Sequence, residues 1–201
     1  MNVSLMLDAI VAQIKGILLS PSETFRASRD SPAEFVFSYF LALLVVDALL
    51  TSFISALGVG VMGSFLGSFP AYRSYLPVLV FAIVLFGGVV WALIISAWIH
   101  LWVYIAGGRR GFFMTVRAVL YGMTPGLLFG WIPVIGVFFS LWSLVLDILG
   151  IRELQELSTG RAILVVVIAI LIPTVLVTLA AAWFFISSVA TITPVTVPQG
   201  L

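Results

Sequence analysis

The sequence predicts an all-α fold: a polytopic membrane bundle of five transmembrane helices, preceded by an amphipathic interfacial helix and a short helix. Three observations predict it. Of 201 residues 63% are hydrophobic and only 8% charged, with a mean hydropathy of +1.29, which leaves too little polar surface to keep a globule of this size in water. Five apolar stretches are long enough to cross a hydrocarbon core, which takes about 20 residues for roughly 30 Å. These stretches are continuous, without the short alternating pattern of a barrel, and helices alone then satisfy their backbone groups within each segment.

The first element is Val3–Leu19, where Ser4, Asp8, Gln13 and Lys15 fall near one side at helical spacing. That pattern reads as an interfacial helix; a helix packed on the cytoplasmic end of the bundle is the other reading. The segment lacks a basic start and a small-residue cleavage site, so it reads poorly as a signal peptide. The next residues write one phrase twice, Ser20-Pro21-Ser22-Glu23 and Ser31-Pro32-Ala33-Glu34. Serine at the N-cap accepts from an exposed backbone N–H, and proline in the first turn loses an N–H that had no partner. Glutamate two residues further reaches back to the cap. Together the phrases predict a surface elbow. A short helix through Arg29 lies down, with Arg26 and Arg29 holding phosphate headgroups, and the next helix enters the bilayer.

The spans are placed at 35–57, 76–106, 112–129, 131–149 and 162–186. The second is overlong and contains Gly87-Gly88, which predicts tilt, a bend or a protruding end. Between the first two spans a glycine-rich loop, surface-lying or partly reinserted, carries a GxxxG at Gly63 and Gly67, a weak pairing signal. Domain organisation follows as cytoplasmic-face amphipathic helices over 1–34, a transmembrane domain over 35–186 and an external tail over 187–201. Lys15, Arg26, Arg29, Arg109, Arg110, Arg117, Arg152 and Arg161 all fall on one side and Arg73 alone on the other. By the positive-inside rule the N-terminus is cytoplasmic and the C-terminus external.

Ionisable groups inside a span need a partner, a lumen or the interface. Asp47 lies halfway along the first span, on one face with Thr51 and Ser55. His100 is roughly 10 Å in from the cytoplasmic end of the second span, and Arg117, Tyr121 and Asp147 sit at similar depth in the third and fourth. The matched depths predict an intramembrane polar cluster in which Arg117 pairs with Asp147, with His100 and Tyr121 adjacent. Structural alternatives exist for each: Arg117 snorkelling to phosphates, Asp147 solvated at the interface, His100 donating to a carbonyl, Asp47 neutral and hydrogen-bonded between helices.

Chemistry is harder to find. With no cysteine and one histidine the chain cannot build a zinc site from nitrogen and sulfur ligands, and HExxH and GxSxG are absent. Gly107-Gly108-x-x-Gly111 lacks the strand and lysine of a phosphate loop and reads as a turn. Hence no enzyme activity, cofactor or metal is expected. A net charge of +1, with its cations allotted to topology, leaves no basic groove for nucleic acid. The expected partners are membrane lipids and a cytoplasmic protein or a second copy of the chain. A small cation transporter or channel using Asp47, His100, Arg117 and Asp147 is the alternative, supported by helix breaks at Gly87-Gly88, Pro125 and Pro173.

Four pieces of the chain carry a resemblance: LLSPSETF at 18–25 with its Leu-x-x-Pro-x-x-x-Phe, HLWVYIAGGRRGF at 100–112, YGMTPGLL at 121–128 and LWSLVLDILGIRELQELSTGRA at 141–162. In order and span count they resemble the Yip family, five-pass membrane proteins whose eukaryotic members are named for interacting with Ypt/Rab GTPases, and within it the prokaryotic branch. The resemblance implies a membrane scaffold, adaptor or organiser without chemistry of its own, in a bacterial or archaeal cell membrane. It also marks Gly107, Gly108, Tyr121, Pro125 and Gly150 as positions that matter for the fold. The chain has no Asp-Leu-Tyr-Gly-Pro phrase before its first span and no long polar stretch ahead of it, which makes a Rab-type GTPase a doubtful partner.

Overall fold

A computed structural model describes residues 3–60, 63, 64, 68 and 74–192. Gly67, Arg73, most of the glycine-rich loop and the tail beyond 192 lie outside the described residues. Among the described residues the chain is helical throughout, and five helices are long and apolar enough to cross a membrane. In chain order they are α1 (Val3–Leu19), α2 (Pro21–Ala27), a 3-10 turn (Ser28–Asp30), α3 (Ala33–Ala56), α4 (Leu76–Ile105), α5 (Phe112–Gly122), α6 (Thr124–Phe129), α7 (Ile135–Gln155) and α8 (Thr159–Ile192). The five spans are α3, α4, α5 with α6, α7, and α8 up to Ser188.

Helix α3 runs along α4, α5 along α7, and α8 packs on α4 and α7, so the third span is the most enclosed. One apolar cluster joins them, with Tyr39, Leu44, Val103, Leu120, Tyr121, Leu146 and Leu154 almost wholly buried. Outward faces carry large apolar side chains such as Phe53, Phe86, Trp91 and Phe138, the pattern of a bundle solvated by hydrocarbon. Helix α1 buries Ile10 and Ile17 against this bundle and packs on α2, while Leu5, Leu7 and Val11 stay exposed. One face of α1 therefore belongs to the protein and another is free for the interface.

The elbow forms, but neither serine caps it with its side chain. The Ser20 N–H already donates to Gly16 O at the end of α1, and the Ser31 N–H to Ser28 O in the 3-10 turn. The donors that Glu23 and Glu34 were expected to reach are thus taken. Pro21 does occupy the first turn of α2, with Ser20 at its N-cap, whereas α3 starts one residue later than expected with Pro32 at its N-cap. The fourth span also moves. Expected at 131–149, it runs Ile135–Gln155, because Gly130 to Val134 form the turn and the charged Arg152 and Glu153 continue the helix. Across Gly87-Gly88 α4 is unbroken; a Cβ on Gly88 would lie 2.6 Å from Leu44 Cδ1, so that glycine serves the close approach of α3.

Two prolines inside spans each orphan the carbonyl four residues earlier. Pro125 sits at the start of α6 just after the break at Met123, and the freed Tyr121 O accepts from Thr124 Oγ1 at 2.6 Å. With its proton so used, Thr124 accepts from Tyr39 OH at 2.8 Å, tying α3 to the break. Pro173 lies within α8, and Trp98 Nε1 of α4 donates to the freed Ala169 O at 2.8 Å. On α8 the residues Ala162, Val165, Val166 and Ala169 form its buried face. Beyond them it runs on with Leu176, Leu179 and Trp183 exposed to lipid.

Replacing Trp98 with Phe keeps the ring and leaves Ala169 O without a donor, which is expected to cost about 1–3 kcal/mol. The same change made together with Pro173→Ala should cost less, since an alanine at that position supplies its own N–H. Thermal unfolding of the four proteins in detergent measures the coupling; equal losses in both backgrounds would refute the assignment.

Candidate functional site

The polar groups collect at the end of the bundle that holds the elbow, and their centre is Glu153 in the last turns of α7. Its carboxylate is only 8% exposed and receives four hydrogen bonds, two from Arg26 and two from Arg152. Arg26 of α2 donates from Nε to Oε2 at 2.6 Å and from a terminal nitrogen to Oε1 at 3.2 Å, and Arg152 reaches Oε1 at 2.5 Å while also donating to Ser22 Oγ at 2.9 Å. Arg29 adds a bond to the Glu153 backbone carbonyl at 2.7 Å. The two elbow arginines expected at phosphate headgroups are therefore held by the protein, although Arg26 stays 64% exposed.

Glu156 closes the network. It stands at the α7 C-cap with φ 54° and ψ 37°, a left-handed conformation that glycine adopts at least strain. The carboxylate repays that strain by bridging Arg110, in the α4–α5 loop, and Arg29 at 3.0 Å. The Arg110 hydrogen bond, with the charges of Arg110 and Arg29, holds the Glu156 carboxyl below its ordinary 4.5, and the bond and charge of Glu153 raise the already high Arg26.

The expected pairing of Arg117 with Asp147 does not form. Arg117, buried in α5, donates from its terminal nitrogens to Arg29 O and, at 2.6 Å, to Ser31 O, with its guanidinium carbon 4.9 Å from the centre of the Phe113 ring. Turning from the 3-10 segment into α3 leaves those carbonyls without helix partners, and a guanidinium with five donors suits them. His100 goes elsewhere. Its Nδ1 lies 2.8 Å from Thr115 Oγ1, which Gln155 Nε2 also contacts at 2.9 Å. Gln155 further takes Gly111 O at 2.9 Å and the Arg110 N–H at 3.1 Å, so one amide ties the α4–α5 loop to α7. Tyr121 packs edge-on against Tyr39 at 5.1 Å and near Phe25 at 6.4 Å.

Glycine positions serve this end too. Gly107 has φ +98° in the turn after α4, and Gly108 follows where a Cβ would meet Val103 and Gln155. Gly150 lets the buried Phe25 ring of the elbow lie on α7, since a Cβ there would be 2.8 Å from the ring. Asp147, 8% exposed, has no hydrogen-bond partner for Oδ1, and Asp47 accepts one long contact from Thr51 at 3.4 Å. The sequence names Asp47, His100, Arg117, Tyr121 and Asp147 as one cluster, whereas the structure places Arg117, His100 and Tyr121 in three separate groupings, and Glu153, Gln155 and Glu156 were missed. Their available signal was the charge-dense Arg152-Glu153-Leu154-Gln155-Glu156 at the end of an apolar helix. Among the described residues no three His, Cys, Asp or Glu come together as a metal site would need.

The arrangement orders a polar face and contains no assembled nucleophile, base or metal centre among the described residues. A profile of the Yip1 domain matches residues 15–182. The chain belongs to the Yip family. No curated protein and no solved structure matches it. As a Yip protein with five apolar helices it is an integral, multi-pass membrane protein, and the match takes in the elbow from Lys15 onward as well as the bundle.

Replacing Glu153 with Gln leaves Arg26 and Arg152 without their shared anion, and limited proteolysis should then cut residues 20–31 several-fold faster while the spans stay protected. For Glu156 the charged form is the stabilised one. Its contribution is complete above pH 4.5 and is lost as pH falls through the lower folded value. Protease protection of the elbow should hold from about pH 7 to 5 and decline only below 4.5, with Glu156→Gln making that decline smaller and Glu153, held down by its bonds to Arg26 and Arg152, supplying the rest.

Proposed function

We propose that this Yip protein is a non-enzymatic membrane organiser or adaptor of a prokaryotic cell membrane, with its elbow end in the cytoplasm as a docking face. One observation carries the reading: the ends of α2, the 3-10 turn, the α4–α5 loop and α7 are locked into a single ion-paired surface. Ordered charge costs side-chain entropy, and exposed pairs return little stability by themselves. An ordered charged surface with Arg26 and Arg110 more than half exposed is suited to recognising something outside the protein. The occupants are anionic lipid headgroups around the rim and a cytoplasmic protein or a second copy on the face. The arginine distribution supports the orientation.

Since the chain has no cysteine, single substitutions give clean topology probes. In intact cells Val134→Cys should react with an impermeant maleimide and Gly160→Cys should not; the reverse pattern would overturn the orientation. A photo-crosslinking residue at Arg109 should recover the same soluble protein or homodimer repeatedly, and one at Val137 should not. Equal recovery from both ends would overturn the docking face.

A further inference from the structure

Among the described residues Asp147 is the buried carboxylate with an oxygen that the bundle leaves unanswered. Nearby hydroxyls are met, Thr124 by Tyr39, Thr115 by His100 and Gln155, Ser96 by Ala92 O, while Tyr121 OH and Trp102 Nε1 share with Asp147 the lack of a partner; Asp147 is the carboxylate among them. Asp147 is 8% exposed, and its Oδ1 is enclosed without a hydrogen bond against Gly122 of α5, where a Cβ would collide with it. A buried unsatisfied carboxyl costs free energy that an apolar residue there would not. Asp147 also lines a cavity of about 610 Å³, between α3, α4, α6 and α7, whose wall includes Asp47, Ser140 and Ser143. That volume is within the roughly 300–1,000 Å³ of small-molecule sites. A second cavity of about 450 Å³ shares Asp47, Val84 and Gly126 with it and extends to Trp131 and Pro133 in the α6–α7 turn, at the end of the bundle opposite the elbow. Asp47 thus stands on the wall common to the two cavities.

We propose that this cavity binds a primary ammonium carried on an apolar body, with Asp147 as the main acceptor and Asp47 as the second. An ammonium has three N–H donors and no acceptor, which two carboxylates and a serine hydroxyl complement. Phe40, Leu44 and Leu127 supply wall for the apolar body, and the Trp91 ring on the same wall suits a cation. A bare metal ion fits poorly. Calcium takes six to eight oxygens and magnesium keeps its waters, whereas the described residues bring no three His, Cys, Asp or Glu together. Arg117 and His100, engaged with the elbow and with Thr115, take no part. The site does not depend on the docking face, and its ammonium has two possible sources: a free amine or an aminophospholipid headgroup.

The test uses the full chain in phosphatidylcholine nanodiscs, titrated calorimetrically with hexylammonium, with hexanol as the neutral comparison. Saturable hexylammonium binding is expected, at least tenfold weaker in Asp147→Asn and several-fold weaker in Asp47→Asn, with hexanol unsaturable. Matching circular dichroism and melting of the variants exclude misfolding. If phosphatidylethanolamine in the nanodisc competes with hexylammonium, the headgroup is the source; if it does not, a free amine is. Unchanged affinity in Asp147→Asn, equal binding of hexanol, or saturation by calcium in place of hexylammonium would each overturn the proposal.

Discussion

A backbone carbonyl or amide inside hydrocarbon has no water to turn to, so each one that leaves a helix ladder must be met by another group of the same chain. This constraint organises the whole structure. Pro125 frees Tyr121 O and Thr124 takes it; Pro173 frees Ala169 O and Trp98 takes it. Where the elbow turns into α3 the carbonyls of Arg29 and Ser31 are met by Arg117, and where α4 turns into α5 the carbonyl of Gly111 and amide of Arg110 are met by Gln155. Each break in a helix is thus also a cross-link between helices. The prolines and turns that weaken single elements are the places where the bundle is joined.

The same rule explains why a buried arginine lacks a carboxylate partner. Removing two charges from water for one ion pair is expensive, and the attraction offsets it only with good geometry and further hydrogen bonds. Carbonyl oxygens that are already orphaned need a donor anyway. Arg117 satisfies two of them with one guanidinium and lies over the Phe113 ring. Ion-paired carboxylates are found instead at the end of the bundle, where Arg26 and Arg110 remain partly exposed and the desolvation is smaller.

Much of this fold is legible in the sequence because its determinants are local. Hydropathy over about 20 residues gives the five spans, and Pro125 gives the interruption of the third. The fourth span was misplaced by local reasoning for a physical reason. Hydropathy ends it at Leu149, yet the helix continues through Arg152 and Glu153, since their charges are met by a segment more than 120 residues earlier. Depth along a helix was also a poor guide to partnership. Arg117 and Asp147 sit at comparable heights, but height does not fix azimuth, and the direction in which Arg117 points depends on where the elbow folds back. Glu156 was invisible for a related reason, since a glutamate in a left-handed cap is explained only by the two arginines it bridges.

Helix α7 then carries two dissimilar duties less than two turns apart. Glu153 anchors the elbow, and Asp147, six residues earlier or about 9 Å along the axis, lines the cavity. The anchor of the elbow and the cavity wall are thus built on one uninterrupted stretch of helix. Gly150 lies between them with the Phe25 ring against it, leaving no slack for α7 to move without the elbow. The opposite face of Asp147 meets Gly122, at the end of α5 and one residue before the break at Met123. The wall that Asp147 gives the cavity therefore lies on the half of α7 that Glu153 ties to the elbow and that packs on the end of α5 at Gly122.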